Sequence, residues 1–394
     1  MPFDVIRSYE SPTRVVHGIG AIASLGEEAA SLGISRPMVV TDPGIASAGI
    51  LDEAVTSLRG ASLHPVVFDE VRANPPVDLV DRGADLYRRD RADGLIGLGG
   101  GSSIDTAKGI GVVAEHGGSI LDYEYGGRAI ERRIPPLIAV PTTAGTGSEV
   151  TLWAVITDPE RQIKFNVGGV ATIAPWVALV DPALTANLPP EVTAGTGMDA
   201  LAHAVECYTM AYAQPLTDAV ALQAIDYVSR YLRPAYQDPG NLEARYHMSL
   251  GALLAGMSYG TESAGAAHAM SQSAGGVHDV PHGTLTGRLL GPVVEFNHVA
   301  APERFARIAG AMGKDTRNRT PMQAAESVVE EVYALTEDLR IASLQDLGFT
   351  EDETPQLAKI AFEDPQTVGN PRELDLEAYE GIYRRAFELG KMEP

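Results

Sequence analysis

Short apolar runs rich in β-branched residues alternate with amphipathic stretches through the first half of the chain. Pro37-Met-Val-Val-Thr-Asp42, Leu63–Phe68, Gly94–Leu98 and Leu137–Val140 read as strands. Ala21–Leu32, Ile50–Leu58 and Val77–Arg91 carry apolar residues at helical spacing. The strand runs show little polar alternation, which suits strands covered on both faces and hence a parallel sheet. Strand and helix taking turns, with a turn signal at Asn74-Pro-Pro76, predict an α/β fold. Beyond Leu188-Pro-Pro190 the pattern changes. Alanine-rich, glycine-poor stretches with helical periodicity follow at Thr193–Tyr212, Leu216–Tyr231, Leu242–Tyr259, Pro302–Met312 and Pro321–Leu339. The expected architecture is a Rossmann-like parallel-sheet domain over residues 1–187 and an all-α C-terminal domain over 188–394, with the boundary near 186–192.

Composition narrows the function classes. A chain of 394 residues can bury two cores, and 45% hydrophobic content is that of an ordinary globule. The formal charge is −22, from 52 acidic and 30 basic residues. A nucleic-acid binder needs the opposite sign to displace counterions, and an anionic membrane would repel this surface. A single cysteine, Cys207, excludes an intramolecular disulfide framework and a cysteine-rich zinc site, and it reads as a small buried side chain. The opening MPFDVIRSYESPTRVV has no basic start followed by an apolar run, and no stretch reaches the ~18 apolar residues of a membrane span. The expected location is the cytoplasm.

Three stretches carry chemistry. In Thr196-Gly-Met-Asp-Ala-Leu-Ala-His-Ala-Val-Glu206, Asp199 and His203 lie four apart, so a helix stacks them on one face. A carboxylate and an imidazole aimed at one point form half of a divalent metal site, and His268 and His282 are candidates to complete it. Such a pair is also common in ordinary helices. Gly99-Gly-Gly101 leaves a strand and enters a helix carrying Ser102 and Asp105. Glycines let a ligand approach the backbone, and free amides at a helix start attract phosphate. Ser102 with Asp105 fits a capping box equally well. Pro141-Thr-Thr-Ala-Gly-Thr-Gly-Ser-Glu149 then offers four hydroxyls and two glycines in nine residues, a loop suited to a polar ligand or to an exposed turn.

Taken together, Gly99-Gly-Gly-Ser-x-x-Asp-x-Ala-Lys108, the 141–149 loop and Gly197-Met-Asp-Ala-Leu-x-His203 resemble the iron-containing, or group III, alcohol dehydrogenases. The likeness extends from Pro12-Thr-x-Val15 and Gly18-x-Gly-Ala21, through Asn74-Pro75 and Val180-Asp-Pro-x-Leu-Thr185, to Asn370-Pro-Arg372 and Ile382-Tyr383. It implies a dehydroquinate synthase-like fold and a homodimer. It implies that Gly99, Gly100, Gly101, Ser102 and Asp105 meet the dinucleotide. Thr142, Thr143, Thr146 and Ser148 would line the cofactor site, with Lys164 beside it and Leu184 bordering the nicotinamide. Asp42 would face the adenosine ribose, where a carboxylate favours NAD over NADP; a strand-end cap is its other reading. Two histidines fourteen residues apart complete the family's metal site, and His268 and His282 have that spacing. The implied ligands are Asp199, His203, His268 and His282, a set suited to Fe²⁺ or Zn²⁺.

The implied reaction interconverts a small alcohol and its aldehyde or ketone by hydride transfer to or from the nicotinamide, with the cation as Lewis acid. Two positions depart from the family pattern. Gln272 stands where a proton-moving histidine is common, and His278 is an alternative relay or a rim residue. Arg288 replaces an apolar residue and would meet an anionic substrate group or form a surface salt bridge. The remaining histidines, His17, His64, His116, His247 and His298, lack such context. The competing readings are a maleylacetate reductase-like reductase and a non-catalytic dinucleotide-binding protein.

Overall fold

The computed structural model describes residues 6–259 and 264–390; the first five residues, part of the segment read above for a leader, lie outside them, as do the last four. The described chain forms two compact units. One contains Glu10–Thr143 and Gly147–Asn187; the other contains the described residues up to Tyr9, Ala144–Thr146 and the chain from Leu188 onward.

The first unit is built on a six-stranded sheet. Its strands are β1 (Arg14–His17), β2 (Pro37–Val40), β3 (Val66–Phe68), β4 (Gly94–Gly99), β5 (Leu137–Pro141) and β8 (Val177–Val180), in the order β1-β8-β5-β4-β2-β3. Every pairing is parallel. Helices α1 (Leu25–Ser31), α2 (Pro43–Ser47), α3 (Ile50–Gly60), α4 (Val77–Arg89) and α5 (Gly101–His116) make the connections. The central strands are buried residue after residue, yet their side chains still alternate. Val39, Ile96, Leu98, Ile138, Val140 and Leu179 enter one core with Leu25 and Leu58. Met38, Val40, Leu95 and Leu137 enter the other with Val80 and Ile110. An antiparallel hairpin, β6 (Trp153–Asp158) with β7 (Ile163–Gly168), stands apart from this sheet.

One carboxylate ties β8 to the turn after β1. Asp181 is 1% exposed. Its Oδ1 accepts the amides of Gly20 and Ala183, and its Oδ2 accepts that of Ile22, all at 3.0–3.1 Å. Asp181→Ala strands three backbone donors. The expected loss is about 2–4 kcal/mol of unfolding free energy, measured by urea denaturation.

The second unit is helical. Its helices are α6 (Pro190–Thr209), α7 (Pro215–Gln237), α8 (Leu242–Tyr259), α9 (Ala266–Val277), α10 (His282–Asn297), α11 (Pro302–Ala311), α12 (Pro321–Asp338), α13 (Thr354–Glu363) and α14 (Leu376–Gly390). One core joins Met198, Leu201 and Val205 of α6 to Leu285 and Leu289 of α10 and Val328 and Val332 of α12. These helices are not glycine-poor where they cross. A Cβ on Gly283 would fall 2.6 Å from the Gly195 carbonyl oxygen, and one on Gly197 would fall 2.2 Å from the Leu232 side chain. The bare backbone at Gly195 and Gly283 brings the start of α10 against α6, and with it His282 toward Asp199. Among the described residues no helix is long and apolar enough to cross a membrane.

Candidate functional site

Of the residues assigned to the dinucleotide, Asp42, Gly100, Thr142 and Leu184 follow the C-terminal ends of β2, β4, β5 and β8, where open parallel sheets take ligands. Gly99 has φ +146°, and a Cβ there would sit 2.5 Å from Ser103 Oγ and 3.3 Å from Asp42 Oδ2. No other residue type fits. Gly100 is the N-cap of α5 and supplies no side-chain cap. The capping box of Ser102 with Asp105 therefore does not form: both lie inside the helix, and its first amides stay available to an anion. Ser103 is buried against Gly99.

The Thr142 amide donates to the Gly99 carbonyl at 3.0 Å, which joins the two loops. The Thr142 hydroxyl is buried without a partner, and the Thr143 side chain flanks Gly100. Thr146 falls in the Ala144–Thr146 stretch that clusters with the helical unit. Ser148 and Asp105 are hydrogen-bonded to each other. Lys164 lies on β7 opposite Thr157, and Leu184 is buried in the turn after β8. Asp42 caps α2, its Oδ1 accepting the Gly44 and Ile45 amides at 2.8 and 3.1 Å. The cap reading holds, while Oδ2 stands on the Gly99 side.

The second cluster lies wholly in the helical unit. Asp199 Oδ1 is 3.6 Å from His268 Nε2 and 3.6 Å from His282 Nε2, and these three residues offer donor atoms within 4.8 Å of one another. His203 adjoins the trio, its Nδ1 3.9 Å from Asp199 Oδ2 and its ring 4.1 Å from that of His268. A separation of 3.6 Å is too long for a hydrogen bond. Asp199 Oδ1 and His268 Nε2 are accordingly buried without partners.

What sorts the imidazoles is the partner of each Nδ1. His203 Nδ1 sits 3.0 Å from the Asp199 carbonyl oxygen. His268 Nδ1 sits 2.5 Å from Glu206 Oε2. His282 Nδ1 sits 3.2 Å from Ser271 Oγ, whose own proton goes to the His268 carbonyl. In each case Nδ1 is committed to a partner; His268 Nε2 is buried without one, and His282 Nε2 lies 3.4 Å from Thr286 Oγ1.

The electrostatics agree. Burial raises the Asp199 pKa, but His203, His282 and His268 outweigh it and hold the group well below the usual carboxylate range. Burial and then the neighbouring His268 pull His203 down to about 4, so it is neutral. Burial lowers His268 too, but Asp199 and Glu206 outweigh that and push it up to about 9. Two carboxylates thus call for positive charge at His268 Nε2. A carboxylate oxygen facing the Nε2 atoms of His268 and His282, with His203 beside them, fits a divalent cation.

Glu206 and Ser271 escaped the sequence reading. Glu206 was legible: it lies seven residues after Asp199 and three after His203, on the same face of α6. Other expectations changed. Arg288 is buried and donates to the Ile341 and Ala342 carbonyls, tying α10 to that segment rather than forming a surface salt bridge. His278 ends α9, with Nε2 2.7 Å from Glu353 Oε1 and its ring against Phe349. Gln272 is buried, its Oε1 accepting from Gln366 Nε2 at 2.9 Å. Cys207, by contrast, is buried as expected, and burial pushes its thiol up to about 12, so it stays protonated.

Comparison with known proteins bears on this arrangement. Residues 12–182 match the family described as iron-containing alcohol dehydrogenase, and residues 193–387 match the C-terminal part of the Fe-containing alcohol dehydrogenase family. The chain belongs to the iron-containing alcohol dehydrogenase family. It is 54% identical to a choline dehydrogenase of Bacillus subtilis (strain 168), over 97% of this chain and 95% of that one. It is 37% identical to an NAD-dependent methanol dehydrogenase of Bacillus methanolicus, over 95% and 98%. The solved structure of a 1,3-propanediol oxidoreductase superposes with a TM-score of 0.93 at 38% identity, covering 97% of this chain and all of the other. The protein is therefore an oxidoreductase interconverting alcohols with aldehydes or ketones through a nicotinamide dinucleotide. Neither the maleylacetate reductase-like reading nor the non-catalytic one is favoured.

Proposed function

We propose that this enzyme oxidises a small hydroxylated substrate, choline first among candidates, with NAD as acceptor and Fe²⁺ held by Asp199, His203, His268 and His282. The observation that carries the metal assignment is a shared arrangement: three Nδ1 atoms with partners, and two Nε2 atoms 3.6 Å from a buried, unpartnered carboxylate oxygen. When bound, the cation lowers the pKa of the alcohol and the dinucleotide receives the hydride. The chain's own residues do the rest. Glu206 and Ser271 fix the two later imidazoles, and the Gly99–Gly101 turn with the start of α5 receives the pyrophosphate. Asp42 disfavours a 2′-phosphate, which supports NAD over NADP. Choline rests on the Bacillus subtilis relative. A homodimer, the family's implied assembly, is tested by light scattering.

The deciding experiment reconstitutes purified protein with Fe²⁺ or Zn²⁺ and follows NADH formation with choline, ethanol, methanol and 1,3-propanediol. Expected are one metal ion per chain, activity lost on chelation, and choline preferred by kcat/KM. Turnover undiminished after complete metal removal would rule out the metal centre. A diol preferred over choline would reassign the substrate while leaving the centre intact.

A further inference from the structure

Lys108 closes the Gly99–Lys108 motif and has no part in the chemistry above. Its side chain is fully buried. Its ammonium reaches Ser148 Oγ at 3.1 Å, the Thr151 carbonyl at 3.1 Å, Thr151 Oγ1 at 3.2 Å and the Trp153 carbonyl at 2.6 Å. Asp105, one turn earlier on α5, lies 3.8 Å from the same nitrogen. Asp105 Oδ1 accepts the Ser148 hydroxyl proton, and Oδ2 accepts the Val155 amide at 3.0 Å. Two side chains of one helix thus hold residues 148, 151, 153 and 155 of a segment without regular structure until β6 begins.

A buried ammonium is costly, and an apolar side chain would fill the same space at less expense. What an apolar side chain would not do is choose the path of that segment. Three N–H donors demand acceptors in set directions, and only one course of the 148–153 backbone supplies them. The Ser148 hydroxyl is oriented twice over, accepting from Lys108 and donating to Asp105. The helix doing the holding begins at the Gly99–Gly101 turn.

We propose that Lys108 is a positioning residue for the dinucleotide: acting through Asp105 and Ser148, it sets the end of the 141–149 loop and the segment after it against α5, and so the spacing between that loop and the Gly99–Gly101 turn. This rests on the dinucleotide reading of these loops. Lys108 itself meets no substrate.

The test is NADH affinity by fluorescence titration on full-length protein, alongside metal content, melting temperature and steady-state kinetics. Lys108→Met keeps length and removes the charge. Expected is a rise in the NADH Kd and in the KM for NAD of about tenfold or more, with kcat at saturating NAD nearly unchanged and metal content as in the parent. Thr151→Val removes one acceptor while keeping shape, and tests the same point should Lys108→Met fail to fold; its expected rise is about two- to threefold. A lowered melting temperature with unaltered NADH affinity in the folded variants would overturn the proposal, because a merely structural strut behaves that way. If the parent itself binds no NADH, the dinucleotide reading falls and the proposal with it. If the parent binds and both variants bind equally well, only the brace falls.

Discussion

Asp199→Asn is expected to abolish metal retention and, with it, turnover. The substitution keeps the shape of a side chain that is 1% exposed and packed among three imidazoles. It removes the single negative charge of the ligand set. It also places an amide donor, in one of its two orientations, against Nε2 atoms that need to meet a cation. Bound metal should fall below about a tenth of the parent's, and kcat/KM by ~10³-fold or more. NADH affinity should hold within about twofold, since the residues assigned to the dinucleotide reside on α5, on β7 and in the turns after β2, β4, β5 and β8, none of them among the proposed metal ligands. Stability should not suffer. A carboxylate kept charged in a dry site is a functional expense, and the metal-free variant should melt no lower than the metal-free parent. Elemental analysis and thermal unfolding on the same preparation check both halves. Retained metal with retained activity would remove Asp199 from the site.

The sheet was legible at its central strands. β2, β4 and β5 fall within one residue or two of the predicted runs. β1 was missed because the four residues Arg14-Val-Val-His17 carry no period and pair with residues more than 160 positions away; β8, Val177–Val180, was missed although it is apolar throughout. The β6–β7 hairpin was missed although Trp153–Asp158 alternates between half-buried and buried positions. α7 was expected to stop before Pro234, yet it runs through it to Gln237, because tertiary packing outweighs one lost hydrogen bond. α9 and α10 went unread for a related reason. Their glycines, and Pro292 within α10, lower helix propensity, while the crossings at Gly195–Gly283 and Gly287–Met198 require residues that small.

The metal cluster divides along the same line. Asp199 and His203 are local, four apart on α6, so spacing alone finds them. His268 and His282 stand on two helices, separated by a break at residues 278–281, and no local period relates them. Only the resemblance named them. Of the orienting groups, Glu206 has a readable spacing on α6, whereas Ser271 was invisible: a serine inside a helix is ordinary until its partner is known. The misread capping box has the same origin. Ser102 and Asp105 have the spacing, but the helix begins two residues too early for Ser102 to be its cap, and Asp105 turns inward to Ser148 and Val155.

Glu206→Gln carries the second large effect, and its logic is one of hydrogen-bond polarity. Glu206 is buried, 4% exposed. Its two oxygens accept from two donors, the Ala267 amide at 2.6 Å and His268 Nδ1 at 2.5 Å. A glutamine in the same place has one acceptor and one donor. If its oxygen serves Ala267, its amide hydrogens face His268 Nδ1, which must then give up its proton, and Nε2 becomes N–H and turns away a cation. If its oxygen serves His268, its amide group opposes the Ala267 amide and opens the first turn of α9, from which His268 projects. Either way a ligand is lost or displaced without removing a single ligand atom. The expected cost is about 10–100-fold in metal affinity, read by competition with a chelator. Activity should return at high free metal, with kcat/KM for the alcohol recovering more fully than it would in Asp199→Asn. Glu206→Asp keeps both acceptors on a shorter reach and should fall between the parent and the glutamine variant. Equal metal affinity in Glu206→Gln and the parent would mean that His268 is held by its packing alone, and that the carboxylate behind it serves only the helix.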